Sequence, residues 1–299
     1  MMKSTSNLPN LVQDVYSLFE NNRHECNKEN LKELIHGLAK AVVRSLKRTQ
    51  SSSSRLRFSN LGRPDRRLYY ELNQKRLGLT PEPLRSDTKI MFLYGDILEE
   101  LLIFLVKEAG YKVADRQKRS SLFGVRGSQD CTINNTIVDI KSASPFSFAK
   151  FNNGTLADND AFGYIGQISA YVQASEEETP FEELETPGGF FVINKSDGQL
   201  CYLEIDPLEQ IDVRARIKEV QKFVKKDVPP ARCYDVSQMR NGNEKLKSGC
   251  SYCDFRFHCY SDANDGKGLR AFQYSDGVTY LTKVASTPRV KEITDDFRK

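Results

Sequence analysis

The stretch "SQDCTINNTIVDIKS", residues 128–142, decides how this chain is read. Two β-rich runs flank Asn134-Asn135, and asparagine tolerates the positive φ of a two-residue hairpin turn. Counted back from such a turn, Ile133 faces Thr136, Thr132 faces Ile137 and Cys131 faces Val138, which sets Asp130 opposite Asp139. Cross-strand neighbours lie about 5 Å apart at Cβ. Two carboxylates that close repel, and a fold tolerates this mainly when a cation lies between them. In the second strand Asp139 and Lys141 alternate with Val138 and Ile140, so acid and base share one face and the aliphatic side chains the other. The acid-bearing face reads as a metal site with an ammonium beside it.

A hard divalent cation held by few protein carboxylates and several waters is the Mg²⁺ style of binding, with Mn²⁺ as the alternative. Such an ion polarises a phosphoryl oxygen and lowers the pKa of a bound water. Lys141 can orient that water or offset charge developing on phosphate. The third acid comes from "KIMFLYGDILEELLIFLVKEAG", residues 89–110, a long apolar helix by its periodicity. Glu99 shares its helical face with Leu102, Ile103 and Val106, where an acid is costly unless partnered. Glu100 shares its face with Asp96 and Lys107, which reads as a solvated stripe.

The bulk numbers bound the class. The chain has 299 residues, 39% hydrophobic and 28% charged, the composition of a globular protein with a proper core. The longest apolar run, "LLIFLV" at 101–106, is far short of a membrane span, and "MMKSTSNLPN" lacks the apolar centre of a secretion signal. We therefore expect a cytoplasmic protein (in the host cytoplasm, if viral) with no membrane partner. Net charge is only +4, but eleven basic residues against two acids lie between Lys40 and Arg76. That stripe, with Phe58, Tyr69 and Tyr70 among it, suits a phosphate backbone. DNA contacts are expected from Arg57, Arg63, Arg66 and Arg67, with the three aromatics split between core and stacking.

The order of elements is helices, a central sheet, then helices, which gives an α/β fold. Residues 1–54 form an N-terminal helical segment and Ser-rich link, 55–232 the core domain, 233–262 a cysteine segment and 263–299 a hairpin and tail. Cys26, Cys131 and Cys201 are scattered and read as small core hydrophobes. Cys233, Cys250, Cys253 and Cys259 crowd into 27 residues, joined by the polar loop "YDVSQMRNGNEKLKSG". Four thiolates around a short loop make a tetrahedral soft-metal site, and spacing alone leaves Zn²⁺ and an iron–sulfur cluster both open.

Taken together, "GDILE" with Glu99, "SQD" with Asp130 and "DIK" with Asp139 and Lys141 resemble the PD-(D/E)xK nuclease superfamily. More narrowly they resemble its RecB-type and CRISPR-adaptation-nuclease branch and related phage exonucleases. "QISAY", with Gln167 and Tyr171 one turn apart, resembles that branch's Q-x-x-x-Y helix, and "LGRPDRRLYY" its L-G-x-x-x-R segment. The likeness runs over roughly residues 57–262. It implies a restriction-endonuclease-like core, a central mixed sheet flanked by helices. It implies catalytic roles for Glu99, Asp130, Asp139, Lys141, Gln167 and Tyr171, with the three acids on Mg²⁺. It also implies a 4Fe-4S cluster on the cysteines, with Zn²⁺ as the alternative. The branch often takes its fourth cysteine where this chain has Asp65; Cys233 is the substitute, Asp65 the next choice and His258 a remote third.

The function expected from the resemblance is a metal-dependent DNA exonuclease of phage-type recombination and DNA processing. A single-strand-annealing or other recombination partner is compatible with it. Alternatives are a structure-specific or CRISPR-adaptation-type nuclease, or a non-catalytic zinc-containing nucleic-acid-binding protein. Digestion polarity, strand preference, oligomeric state and the role of the N-terminal helices are not legible in the sequence.

Overall fold

The structure is a computed structural model that describes residues 8–20, 24–47, 54–80, 86–177 and 179–297. The "PEP" break at 81–83 and nearly all of the Ser-rich link lie outside those residues. In chain order the helices are α1 (Leu11–Glu20), α2 (Lys28–Leu46), α3 (Phe58–Leu61), α4 (Asp65–Leu72), α5 (Ser86–Glu108), α6 (Pro145–Asn152), α7 (Tyr164–Ser175), α8 (Val213–Val224), α9 (Ser248–Ser251), α10 (Arg256–Cys259) and α11 (Ala263–Gly266). The strands are β1 (Val113–Ala114), β2 (Arg119–Leu122), β3 (Val125–Ser128), β4 (Cys131–Ile133), β5 (Thr136–Ala143), β6 (Gly188–Asn194), β7 (Leu200–Ile205), β8 (Ser237–Gln238), β9 (Glu244–Lys245), β10 (Arg270–Tyr274) and β11 (Gly277–Lys283).

The chain divides into two compact units, and the division cuts across the boundaries expected from sequence. The first unit comprises residues 1–51, 56–62 and 84–217; the second comprises 52–55, 63–83 and 218–299. The N-terminal helices therefore belong with the sheet. The "RPDRRLYY" helix and the C-terminal hairpin belong with the cysteines.

The first unit is a mixed sheet with helices on both faces, the coarse architecture expected. Strand order is β1-β4-β5-β6-β7, with β5 and β6 parallel and the other pairs antiparallel. The Asn134-Asn135 turn has φ of 46° and 71°, and the register behind it is Ile133↔Thr136, Thr132↔Ile137 and Cys131↔Val138, as counted from the sequence. Alternate residues of β5 feed two cores. Val138 and Ile140 pack with Leu102, Ile103 and Val106 of α5 and with Leu11 and Val15 of α1. Ile137 and Ala143 pack with Phe58, Ile168, Val172 and Phe190 in the other.

Helix α2 lies along α5, and this corrects one expectation. The Asp96–Glu100–Lys107 stripe is not a solvated face. Asp96 pairs with Arg44 at 3.3 Å, Lys107 with Glu33 at 2.5 Å and Glu100 with Arg116 at 2.6 Å. Gly37 faces the end of the Glu100 side chain: a Cβ there would stand 2.1 Å from Glu100 Oε2, so a larger residue would push that carboxylate aside. Helix α6 was not foreseen, although Ser144 caps it through Ser147 N–H and Pro145 opens it.

The second unit carries the sheet β10-β11-β9-β8. The expected polar loop after Cys233 is in fact the β8–β9 hairpin, with β9 paired to β11. It is held by Asn243, which is fully buried and whose Oδ1 accepts from Ala285 and Ser286 N–H, both at 2.8 Å. Cys250 and Cys259 pack against a core of Leu246, Tyr260, Leu269, Ala271 and Tyr280. That shared core is why the terminal hairpin is not a separate tail.

Candidate active site and cysteine cluster

Asp139 and Lys141 stand on the central strand β5, on the face toward α7, and Lys141 Nζ pairs with Asp139 Oδ2. Asp139 is 1% exposed, so its charge depends on what surrounds it. Gln167, on α7, donates from Nε2 to Asp139 Oδ1 at 3.0 Å. One turn on, Tyr171 donates its hydroxyl to the Ser128 carbonyl at 2.6 Å, tying α7 to the strand that leads into Asp130. Helix α7 is aimed by Asp160, whose carboxylate accepts from Gly163 and Ile165 N–H at 2.9 and 2.8 Å. The Lys141 ammonium also lies 5.0 Å from the centroid of Tyr164, three residues before Gln167.

Asp130 sits one residue before β4 begins, beyond the paired register. Its Oδ2 accepts from Ile140 N–H at 2.8 Å, so the side chain continues the hydrogen bonding where the ladder stops. Glu99 arrives from α5, where it is half-buried above Leu102, Ile103 and Val106. Gln117 donates to Glu99 Oε1 at 3.1 Å. Gly95, one turn earlier, lets α5 come close to β5: a Cβ there would lie 3.2 Å from Ser142 Oγ.

The electrostatics record the crowding. Burial, then Glu100, Asp139 and Asp96, push the Glu99 carboxyl up to about 7 against the pull of Arg44. Burial, then Asp139 and Glu99, hold Asp130 well above the usual carboxylate range. For Lys141, burial works to lower the pKa, but Asp139 and Asp130 outweigh it and the ammonium stays charged. Asp139 Oδ2 is buried, and the Lys141 ammonium is its partner. Three mutually repelling carboxylates around a single ammonium fit a hard divalent cation by donor chemistry.

The six residues expected at the site therefore come together around β5. Gln117 and Tyr164 were missed. Tyr164 had a signal, being one turn from Gln167 on the same helix. Gln117 had none, because it reaches Glu99 from a loop residue at φ 55°.

In the second unit the four cysteines gather around α4 and α10. Backbone N–H groups of Arg66 and Arg67, at the start of α4, donate to Cys233, and Asp65 lies close to it. Arg66 Nε donates to Cys259 Sγ at 3.1 Å, and Arg67 lies near Cys253. Burial pushes the Cys253 thiol up to about 11, and Cys233 and Cys250 in the same direction. Soft donors surrounded by N–H groups and guanidinium suit a thiolate-bound metal or cluster. His258 instead packs edge-on against Tyr70 at 4.9 Å.

These contacts correct the reading of the basic stripe. Arg63 pairs with Glu71 at 2.9 Å, and Arg66 Nη1 donates to the Pro230 carbonyl at 2.6 Å. Those two serve their own unit and Arg67 lies near Cys253, whereas Arg57 is exposed. Phe58, Tyr69 and Tyr70 are all buried, at 0%, 1% and 4% exposure, so none is a free stacking surface. Cys131 and Cys201 are buried as expected, but Cys26 is exposed.

No protein-family model matches the chain, and no curated protein does. Among solved structures it is similar to the crystal structure of SSO0001, at 17% identity and a TM-score of 0.39, covering 74% of this chain and 93% of that one. A likeness of that strength carries no argument about fold family or activity. Among the described residues no helix is long and apolar enough to cross a membrane.

Proposed function

We propose that this chain is a Mg²⁺- or Mn²⁺-dependent deoxyribonuclease of the PD-(D/E)xK type, degrading linear DNA as an exonuclease. One observation carries the reading: Asp139, ion-paired with Lys141, raises the proton affinity of both Glu99 on α5 and Asp130 just before β4. A purely structural or binding role has no use for such an arrangement, which burial makes unfavourable without a cation.

Glu99, Asp130 and Asp139 would hold the ion, which when bound polarises a phosphoryl oxygen and acidifies a water. The remaining work belongs to side chains. Lys141, kept charged by its two acids, is placed to offset negative charge growing on phosphate. Gln167 fixes the orientation of Asp139, and Gln117 that of Glu99. Tyr171, bonded to the Ser128 carbonyl, holds α7 and so Gln167 in place. In the second unit we propose a 4Fe-4S cluster on Cys233, Cys250, Cys253 and Cys259, acting as a staple for that unit, since metal affinity is available as folding free energy. The deciding experiment is release of nucleotides from end-labelled linear DNA with Mg²⁺, Mn²⁺ or EDTA. Release that needs the divalent ion and disappears in Asp139→Ala supports the nuclease. Cleavage indifferent to EDTA or to Asp139→Ala overturns it.

A further inference from the structure

Glu108 is the last residue of α5, and a carboxylate there meets the negative end of the helix dipole. Its side chain is nevertheless only 2% exposed. Three groups from the α1–α2 connection and the first turn of α2 hold it. Asn30 Nδ2 donates to Oε1 at 2.7 Å, Asn27 N–H donates to Oε2 at 3.0 Å, and His24 Nε2 lies 2.7 Å from Oε2. Burial alone would raise the carboxyl, but the bonds from Asn30, His24 and Asn27 outweigh it and keep the group ionised.

Beside this pair lies Cys26, exposed and unexplained by any core. One donor atom from each of His24, Cys26 and Glu108 falls within 4.8 Å of the other two. We propose that His24, Cys26 and Glu108 form a Zn²⁺ site, separate from the acids of the candidate active site. Nine residues, or about 13 Å of helix rise, separate Glu108 from Glu99 along α5.

The chemistry of the donors selects the ion. One imidazole nitrogen, one thiolate and one carboxylate oxygen suit a borderline-soft cation, and leave a fourth tetrahedral position for water. Mg²⁺ and Ca²⁺ prefer oxygen donors and are not drawn to the thiolate. The ion takes the place between His24 Nε2 and Glu108 Oε2, and the Cys26 thiol gives up its proton to bind it. Asn30 keeps the carboxylate oriented from its other oxygen, the kind of supporting bond that ligating groups need. The bound ion would cross-link the α1–α2 connection to the end of α5 and supply the positive charge that the helix end lacks.

The test is the alkylation rate of Cys26, followed site by site by peptide mass spectrometry on full-length protein prepared without oxygen, with the cysteine cluster intact. One equivalent of Zn²⁺ should slow iodoacetamide modification of Cys26 at least about tenfold, because a metal-bound thiolate is a poorer nucleophile than a free one. Millimolar Mg²⁺ should leave the rate unchanged. His24→Ala and Glu108→Gln should each restore fast alkylation at that Zn²⁺ level, and Asn30→Ala should raise the Zn²⁺ needed by about 10- to 100-fold. An alkylation rate indifferent to Zn²⁺, or protection that survives both His24→Ala and Glu108→Gln, overturns the site. The readout does not involve DNA cleavage, so it stands or falls apart from the nuclease reading.

Discussion

Gln167 Nε2 donates to Asp139 Oδ1 at 3.0 Å, and both side chains are buried. The bond leaves Oδ2 as the only oxygen of that carboxylate free of neutral donors, facing Lys141. Gln167 is thus a positioning residue: it fixes which oxygen of Asp139 faces the shared site. Gln167→Ala should lower cleavage about 10- to 100-fold and raise the Mg²⁺ concentration for half-maximal activity, as loss of a supporting bond does at metal sites. Leaving a buried acceptor unpaired should also cost about 1–3 kcal/mol of stability. A Mg²⁺ titration of cleavage, beside a urea melt, checks both.

Asp130→Asn should abolish cleavage and leave the metal-free protein at least as stable at pH 8. The amide oxygen can still accept from Ile140 N–H, while the repulsion from Asp139 and Glu99 is relieved. Thermal melting in EDTA checks the second half. A clear drop in melting temperature would show the carboxylate to be structural.

Glu99 makes metal-free stability depend on pH. Its carboxyl is raised from 4.5 to about 7 in the folded state, so the folded protein binds this proton more tightly than the unfolded chain. The stability this contributes is complete below about 4.5 and is lost as pH rises through about 7, by an amount on the order of 3 kcal/mol. Asp130 is shifted the same way and adds to the loss. Urea unfolding in EDTA at pH 5 and pH 8 should show a weaker protein at pH 8, and Glu99→Gln should reduce the difference.

Arg66 belongs to the cysteines. Arg66→Ala removes a donor to Cys259 Sγ and a bond to Pro230. It should lower iron and acid-labile sulfide content and leave the salt dependence of DNA binding as it was. Metal analysis of protein purified without oxygen, with a salt titration of DNA affinity, separates this from a phosphate contact, whose loss would flatten the slope by about 0.7 to 0.9.

Cys233→Ser should strip the cluster, while Asp65→Ala should leave it in place. The backbone N–H groups of Arg66 and Arg67 hydrogen-bond to the Cys233 thiol, whereas Asp65 acts on it through charge. Iron and sulfide counts on the two variants decide between them; stoichiometric zinc without sulfide would replace the cluster with a structural zinc site.

Local pattern determined a large part of this protein. The Asn134-Asn135 hairpin, its register, and the shared face of Asp139 and Lys141 follow from the period of two along a strand and from a turn that asparagine accepts. Glu99 was legible because an acid interrupted an apolar helical stripe. What local pattern could not decide is which surfaces meet. The Asp96–Glu100–Lys107 stripe looks solvated on its own helix and is covered only once Arg44 and Glu33 of α2 and Arg116 come to pair with it. Arg63 and Arg66 look like part of a free basic face until Glu71, Cys259 and the Pro230 carbonyl arrive, two of them from about 160 to 190 residues away. Cys26 looks like a core residue and is exposed beside His24 and Glu108, a grouping made by residues more than 80 positions apart. Charge and hydrophobicity are properties of a residue, but their meaning is set by the partner, and long-range partners exist only once the chain has folded.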